Sequence, residues 1–255
     1  MIRFLTECLL RNDHSLRILD YGCGNGEFVV ALTKAGFDVL GVDIDPEYVR
    51  LAKSYCEKMK TDPGRIVLVS EKGLPFPNES FDCINSNTVL EHVGDVHAYM
   101  SECRRLLKPT GSFFATMPTR FSLMEGHIDL PMAHWLPAGR LRRWYIRTFA
   151  RPGIHELDGE DIGIFFDSYI SRLNYWTPAV WKSVFRRYFR EVRDFSAEKK
   201  RFEAGRRSTM VGRLYRDLSK LPLFASALPW LIKQATTINL LAWDPLPFTR
   251  IAGMD

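Results

Sequence analysis

Several patterns that would place a chain in a common protein class are missing from this sequence. Its five cysteines form no C-x-x-C pair and no metal-like spacing, which argues against a zinc site or a disulfide framework. No run of about 18 uninterrupted apolar residues occurs, so no membrane-spanning helix is expected. The apolar stretch at the N-terminus is interrupted by Thr6 and Glu7 and is too polar for a signal peptide. These absences predict a cytoplasmic protein with reduced, structural cysteines.

Two phosphate-binding patterns are also missing. No segment has the G-x-x-x-x-G-K-[ST] spacing of a Walker loop. The dinucleotide pattern G-x-G-x-x-G fails at its last position, where Glu27 replaces the glycine that lets a helix pack closely on its strand. A nicotinamide-dependent oxidoreductase is therefore disfavoured, although it stays open as an alternative.

The stretch "ILDYGCGNGEF", residues 18–28, has three glycines at alternate positions directly behind an apolar run. Because glycine adopts positive φ angles without a Cβ clash, Gly22, Gly24 and Gly26 predict a tight turn between a short strand and a helix. Three glycines are more than such a turn requires, and missing side chains would let a ligand lie against the main chain. We interpret the segment as a ligand-binding turn, with a turn that binds nothing as the alternative.

Strand-like and helix-like segments alternate along the first half of the chain. Strands are predicted at 17–21, 38–43, 65–70, 81–86 and 111–118, with a sixth at 191–197. One helix begins at Pro46 behind Asp45, another ends before Pro109, and a later one carries Tyr188 and Phe189 on its inner face. This alternation implies βαβ crossovers and a doubly wound parallel α/β sheet.

Five motifs in order resemble those of class I S-adenosylmethionine-dependent methyltransferases. They are D-x-G-x-G-x-G from Asp20, "VDID", "LPFPNESFD", "VLEHV" and "LLKPTGSF", and they extend over residues 16–118. By pattern the chain is similar to ubiquinone and menaquinone biosynthesis methyltransferases and other small-molecule methyltransferases. The resemblance implies a mainly parallel, seven-stranded Rossmann-like sheet with a late antiparallel strand at 236–243. Helical insertions after strands five and six are expected as departures from the family's minimal fold.

The resemblance also implies S-adenosyl-L-methionine as the cofactor, bound beyond the carboxyl ends of the strands. Asp43 would accept hydrogen bonds from two neighbouring ribose hydroxyls, since Asp45 already caps the following helix. In relatives an acid near the adenine stands where this chain has Ser70, so that contact would pass to Glu71 or to main chain. Asn87 could meet the methionine end or simply complete a turn. The candidate cofactor-binding residues are Asp20, Gly22, Gly24, Gly26, Asp43, Ile44, Ser70, Glu71 and Asn87.

Transfer of a methyl group to a hydroxyl oxygen requires a base. The candidate catalytic residues are His92 in "VLEHV" and His127 and His134 in "MEGHIDLPMAHWLP", where Glu125 and Asp129 lie close to His127. The alternatives are a turn role for His92 and a lid held together by packed histidines. In similar quinone-type O-methyltransferases an acid joins the Glu-His pair at a divalent metal, but Thr88 stands at that position, so no metal is expected.

We expect one domain over 1–255, with a cofactor-binding core at 1–118 and an acceptor-site insertion at 119–176. The C-terminal part, 177–255, includes a helical insertion at 198–235 that is basic in one half and apolar in the other. The net charge of +5 favours anionic partners, or it reflects a solvated basic face. These features predict peripheral contact with an anionic inner membrane face or a lipid-linked acceptor, with packing on the sheet as the alternative.

The sequence thus predicts an S-adenosylmethionine-dependent methyltransferase that methylates oxygen on a small-molecule, sugar or lipid-linked acceptor. Nucleic acid is not expected as a partner, because no [DNS]-P-P-[FYW] turn follows strand four. An NAD-dependent Rossmann oxidoreductase and a catalytically silent cofactor-binding module remain alternatives.

Overall fold

A seven-stranded sheet forms the centre of the computed structural model, which describes residues 14–70, 73–150, 161–199 and 238–245. The strands are β1 (Arg17–Tyr21), β2 (Asp38–Asp43), β3 (Ile66–Leu68), β4 (Phe81–Asn87), β5 (Leu107–Met117), β6 (Met124–Glu125), β7 (Leu130–Pro131), β8 (Phe189–Asp194) and β9 (Ile238–Pro245). The sheet order is β3-β2-β1-β4-β5-β9-β8, and β6 pairs with β7 in a separate hairpin. Strands β1 to β5 are parallel, whereas β9 is antiparallel to β5 and β8. The predicted mainly parallel, doubly wound sheet is confirmed.

Six α-helices are present in the described part of the chain. They are α1 (Glu27–Lys34), α2 (Pro46–Lys58), α3 (Val96–Leu106), α4 (Arg140–Phe149), α5 (Ile162–Arg172) and α6 (Pro178–Arg186). Helix α2 begins as predicted, because the Asp45 side chain accepts hydrogen bonds from the N–H groups of Glu47 and Tyr48. Its proline occupies the first turn, where no N–H donor is needed.

Both faces of the sheet are covered, as the sequence of β1 shows. Ile18 and Leu19 are adjacent and both fully buried, although neighbouring side chains in a strand point to opposite faces. Ile18 belongs to a hydrophobic cluster with Val30 of α1, and Leu19 to a cluster with Met100 of α3 and Trp181 of α6. Full burial of each such side chain contributes about 1.5–3 kcal/mol. The two clusters fix the strand ends that carry the candidate site.

Several predicted boundaries were wrong. Helix α3 ends before Pro109 as predicted, at Leu106, but β5 begins at once with Leu107 instead of at residue 111, so Pro109 lies inside a strand. The register between β4 and β5 shifts in this stretch, and such a bulge tolerates a residue that has no N–H group. Helix α6 ends at Arg186, so Tyr188 and Phe189 are buried as expected but follow the helix. Strand β3 is also shorter than its apolar run.

The chain between β5 and α6 builds a cap, defined here as residues 119–150 and 161–176. It contains the β6–β7 hairpin, α4 and α5, and it has a small hydrophobic cluster of its own. Arg142 of α4 and Asp167 of α5 form a buried ion pair at 2.7 Å, and Arg143 bonds the same carboxylate at 2.8 Å. These bonds hold the two helices together. Residues 151–160 and nearly all of the 198–235 insertion lie outside the described residues.

The described cysteines match the expectation of reduced, structural thiols. Cys23, Cys56, Cys83 and Cys103 are buried and free, and burial raises the pKa of the Cys83 thiol to about 12. A neutral buried thiol packs as a small apolar group. Cys8 lies outside the described residues. Within residues 14–70, 73–150, 161–199 and 238–245, no helix is long and apolar enough to cross a membrane.

Candidate active site

The glycine turn after β1 is shaped by two neighbours and is open on one side. Gly22 has φ +84°, and a Cβ atom there would lie 2.4 Å from Cγ2 of Val89, so the turn packs directly on the loop after β4. A Cβ atom at Gly26 would meet Ala52 of α2 at 3.0 Å. Packing therefore accounts for these two glycines. Gly24, with φ +50°, has no atom within 4 Å of a built Cβ, so its main chain is the part that a ligand can approach.

Asp43 stands beside this open position at the end of β2. Its Oδ2 accepts a hydrogen bond from the Gly24 N–H at 2.9 Å, and its Oδ1 accepts one from the Asp45 N–H at 3.1 Å. A carboxylate has about four acceptor positions, so each oxygen retains one. Two neighbouring ribose hydroxyls match that pair. Ile44 follows with 55 % of its surface exposed, and it offers an apolar face next to the carboxylate.

Asp20, the first residue of the glycine motif, is buried between two strands. It is only 3 % exposed and accepts a hydrogen bond from Asn85 Nδ2 at 2.6 Å. Burial raises the pKa of Asp20 to about 7, so the carboxyl group is partly protonated near neutral pH. Asn85 and Ser86 lie inside β4 and are fully buried.

Other predicted donor-site residues lie at the same edge. Asn87 ends β4 and is half-buried, directly before Thr88, whose φ is +55°. Ser70 is exposed and pairs with Gly73 in an isolated bridge just beyond β3. Glu71 lies outside the described residues. The roles of these residues toward the cofactor stay predictions.

Two of the three predicted histidines meet, although 35 positions separate them. Nε2 of His127, in the cap, lies 3.4 Å from Nε2 of His92, in the loop after β4. Their rings are nearly perpendicular, with centroids 5.1 Å apart. The Tyr169 hydroxyl of α5 lies 3.5 Å from Nδ1 of His92. Burial, and then the neighbouring His127, lower the pKa of His92, which favours its neutral form.

Glu125 fixes the other side of the His127 ring. Its carboxylate is fully buried and lies 2.6 Å from Nδ1 of His127. Although burial works in the opposite direction, hydrogen bonds from His127 and Tyr175 keep the pKa of Glu125 below its usual range. Because an ionised carboxylate only accepts, Nδ1 of His127 donates to it, and in the neutral ring the lone pair lies on Nε2. A histidine held in this tautomer is suited to accept a proton.

Glu91 is a second buried carboxyl group at this place. It is 1 % exposed, and its Oε1 lies 4.0 Å from Nε2 of His92. Burial raises the pKa of Glu91 to about 7. The loop that carries it is clamped to the cap, because the Asn174 side-chain amide donates to the carbonyls of Leu90 and Val93. The cap and the loop after β4 are thus joined directly at the histidine pair.

His134 occupies a different position from the other two candidates. Its ring stacks on Tyr175 with centroids 4.5 Å apart and an angle of 22° between the planes. Burial lowers its pKa, so it packs as a neutral ring. It supports the tyrosine that touches Glu125. This stacking indicates a packing role for His134 and gives no support to a catalytic one.

Sequence analysis missed Tyr169, Asn174 and Tyr175 as members of this site. They come from α5 and the segment behind it, about 50 positions after Glu125, and no spacing pattern connects them to the histidines. Among the described residues, no group of three or more His, Cys, Asp or Glu side chains is arranged to hold a metal ion. Thr88 donates its hydroxyl to the Asn87 carbonyl and supplies no carboxylate.

Comparisons with known proteins agree with this architecture. Residues 19–115 match the methyltransferase domain family. Ubiquinone biosynthesis O-methyltransferase of Rhodopseudomonas palustris (strain TIE-1) is 36% identical over 129 residues, which are 49% of this chain and 49% of that protein. The protein of the same name from Cereibacter sphaeroides (strain ATCC 17029 / ATH 2.4.9) is 33% identical over 49% of this chain and 51% of its own length. The chain thus spans about half the length of the curated relatives it matches.

Two solved structures share the fold over nearly the whole chain. The [4+2]-cyclase SpnF superposes with a TM-score of 0.55 at 15% identity, covering 96% of this chain and 81% of that protein. Geranyl diphosphate C-methyltransferase of Streptomyces coelicolor A3(2) gives 0.53 at 13% identity, covering 94% and 77%. At these identities the likeness concerns the fold. Residues 19–115 are thus similar in sequence to a methyltransferase domain, and the described fold agrees with that similarity.

Proposed function

We propose that this protein transfers a methyl group from S-adenosylmethionine to a hydroxyl oxygen of a small-molecule acceptor, with His127 as the base. The observation that carries the proposal is the Glu125–His127 pair, which meets His92 on the loop that packs against the glycine turn. This packing supports a donor-binding edge that lies beside the histidine pair. An NAD-dependent oxidoreductase gains no support from this arrangement.

The residues present fit the donor. The open main chain at Gly24 and the two remaining acceptor positions of Asp43 would hold the ribose, and Ile44 would lie against the adenine. When bound, the donor supplies a methyl group on a sulfonium, which is already a strong electrophile. The protein then mainly has to hold an acceptor oxygen in line with that group.

His127 supplies what a hydroxyl acceptor needs in addition. A hydroxyl acceptor that replaces the His92 N–H beside Nε2 of His127 would lose its proton to that nitrogen as it is methylated. Glu125 stabilises the imidazolium that results, because its carboxylate faces Nδ1. The N–H of His92, opposite Nε2 of His127, can donate to the same acceptor oxygen and help to place it.

The nature of the acceptor is supported from two directions. The curated relatives carry the name ubiquinone biosynthesis O-methyltransferase, which supports oxygen as the atom that is methylated. The cap supplies an exposed apolar surface on α4, where Trp144 is 56 % exposed and Leu141 lies on the same side. Arg140 and Arg147 flank this surface, and α4 itself contains no acidic residue, although Arg147 pairs with Asp161 of the neighbouring segment. Aromatic and aliphatic side chains beside arginines suit the boundary of an anionic bilayer.

We therefore extend the proposal to a lipid-linked acceptor that is reached by peripheral contact of the cap with an anionic membrane. The predicted contact through 198–235 lies almost entirely outside the described residues. The surface on α4 supports the same kind of contact from a different segment. The cap would then face both the membrane and the acceptor that the membrane holds.

Methyl transfer itself tests the proposal. The protein is incubated with methyl-labelled S-adenosylmethionine and either catechol or a polyprenylated phenol in anionic vesicles, and labelled methyl ether is counted. Label in an ether product that disappears in Asp43→Ala supports the function. A parallel incubation contains NAD in place of S-adenosylmethionine. Consumption of NAD there, together with no transfer of label in the first incubation, would contradict the proposal.

A further inference from the structure

Tyr175 touches the carboxylate that orients the base, and no sequence motif marks it. We infer that Tyr175 is a positioning residue: its hydroxyl completes the hydrogen-bond shell of Glu125 and thereby holds His127 with the Nε2 lone pair toward the acceptor. The inference rests on the proposed role of His127 as base. It adds a residue that acts through Glu125 rather than on the substrate.

Glu125 receives four hydrogen bonds, two on each oxygen. Oε2 accepts from the N–H groups of His127 and Ile128, both at 3.0 Å. Oε1 accepts from Nδ1 of His127 at 2.6 Å and from the Tyr175 hydroxyl at 2.5 Å. A carboxylate offers about four acceptor positions, so all are filled. A fully buried anion is stable only when its oxygens are satisfied in this way.

This saturation fixes the direction of every hydrogen bond around the base. Since Glu125 only accepts, Nδ1 of His127 donates, and in the neutral ring the lone pair lies on Nε2. Nε2 of His92, 3.4 Å away, then presents its N–H, and its Nδ1 faces the Tyr169 hydroxyl at 3.5 Å. In this series of contacts, from Tyr169 through His92 to His127, each hydrogen-bond donor points toward Glu125. One carboxylate therefore sets the tautomers of two histidines.

Tyr175 is itself held for this contact. Its ring stacks on His134, and its neighbour Asn174 is bonded to the loop after β4. Burial, and then the charge of Glu125, raise the pKa of the Tyr175 hydroxyl well above its usual value. The hydroxyl is therefore a donor throughout the working pH range. Replacement by phenylalanine would keep the ring and its stacking and remove only the donor.

Loss of that donor leaves one acceptor position of a buried carboxylate empty. Burial then opposes ionisation of Glu125 more effectively, so the carboxyl group takes up a proton at higher pH. A protonated Glu125 no longer requires a donor on Nδ1 of His127. The base would thus lose its fixed tautomer in a pH range where the wild-type protein keeps it.

Carboxyl-carbon NMR of protein labelled with ¹³C-glutamate tests this directly and needs no acceptor. The Glu125 resonance, identified by its absence in Glu125→Gln, is titrated in wild type, in Tyr175→Phe and in Tyr145→Phe. The last variant is a matched control, because the Tyr145 hydroxyl donates to the Pro131 carbonyl and does not touch Glu125. We expect the Glu125 midpoint to rise by about one pH unit in Tyr175→Phe and to stay unchanged in Tyr145→Phe.

Coinciding midpoints in wild type and Tyr175→Phe would overturn the inference. A second measurement on the wild type covers the case in which the variant does not fold. A buried hydrogen bond to a carboxylate predicts a hydroxyl-proton resonance for Tyr175 that is protected from exchange, and its absence would also overturn the inference. Neither experiment depends on turnover. A failed methyl-transfer assay would therefore contradict the proposed function without deciding this point.

Discussion

His127 is the side chain on which the proposed chemistry depends most. His127→Ala should leave donor binding intact and lower turnover about 10²- to 10⁴-fold, which is the usual contribution of a positioned base. Turnover with labelled S-adenosylmethionine measures the effect, and calorimetry checks that the donor still binds. His14→Ala is the control, because His14 is an exposed histidine near Phe37, in another part of the fold. Near-normal turnover of His127→Ala would remove the base from the mechanism.

Asp20 and Glu91 give a prediction about pH and stability. Burial raises their pKa values from 3.8 and 4.5, respectively, to about 7 in the folded protein. The unfolded chain therefore releases these protons at lower pH than the folded one. The stability that they contribute is full below about pH 4 and is lost as pH rises through about 7.

Urea unfolding at a series of pH values measures this loss. In Asp20→Asn and Glu91→Gln the fall in the free energy of unfolding between pH 4 and pH 8 should be smaller than in wild type, because each variant removes one titrating group. Both replacements keep the size and an acceptor oxygen of the original side chain. Parallel curves for wild type and both variants would show that these carboxyl groups titrate normally.

Helices and strands were predictable to the extent that local pattern determines them. The glycine turn, the cap of α2 at Asp45 and the alternation of strands and helices are local signals, and the structure has all three. Boundaries failed where packing overrides pattern. Proline usually ends a helix. Here α3 has already ended at Leu106, and Pro109 lies in the bulged strand that follows.

The candidate site was predictable only in part, for a related reason. His92, His127 and Asp43 follow strand ends or lie in the segment behind the last parallel strand, so the topology places them at one edge. Tyr169 and Tyr175 reach that edge only because α5 folds back over it. That return is fixed by tertiary contacts such as Arg142 with Asp167, which no spacing in the sequence reveals.

Helix α4 carries the prediction about membranes. Trp144→Ala combined with Leu141→Ala should weaken flotation with anionic vesicles, because it removes the exposed apolar side chains of that helix. Binding of the wild type should also weaken with salt, since the adjacent arginines contribute through charge. Val180→Ala is a matched control, because Val180 is an exposed apolar residue of α6. Flotation that is equal in all three proteins, or absent at low salt, would exclude contact through α4.

The fold of the protein as one unit does not determine its chemistry. Solved structures that share it over nearly the full chain include both a [4+2]-cyclase and a C-methyltransferase. Function on such a scaffold depends on the residues at the strand ends. Here the proposal rests on the open glycine turn and Asp43 for the donor, and on Glu125 with His127 for proton removal from the acceptor.

Calorimetry with S-adenosylmethionine and with NAD, added separately to wild type and to Asp43→Ala, tests the central claim most directly. Asp38→Ala serves as control, because Asp38 is the same residue type at the opposite end of β2 and pairs with Arg65. We predict binding of S-adenosylmethionine by wild type and Asp38→Ala and no binding of NAD. In Asp43→Ala the Kd should rise at least about tenfold, since each lost charge-assisted hydrogen bond contributes about 1.5–3 kcal/mol. Unchanged affinity in a folded Asp43→Ala protein, or binding of NAD in place of S-adenosylmethionine, would contradict the account.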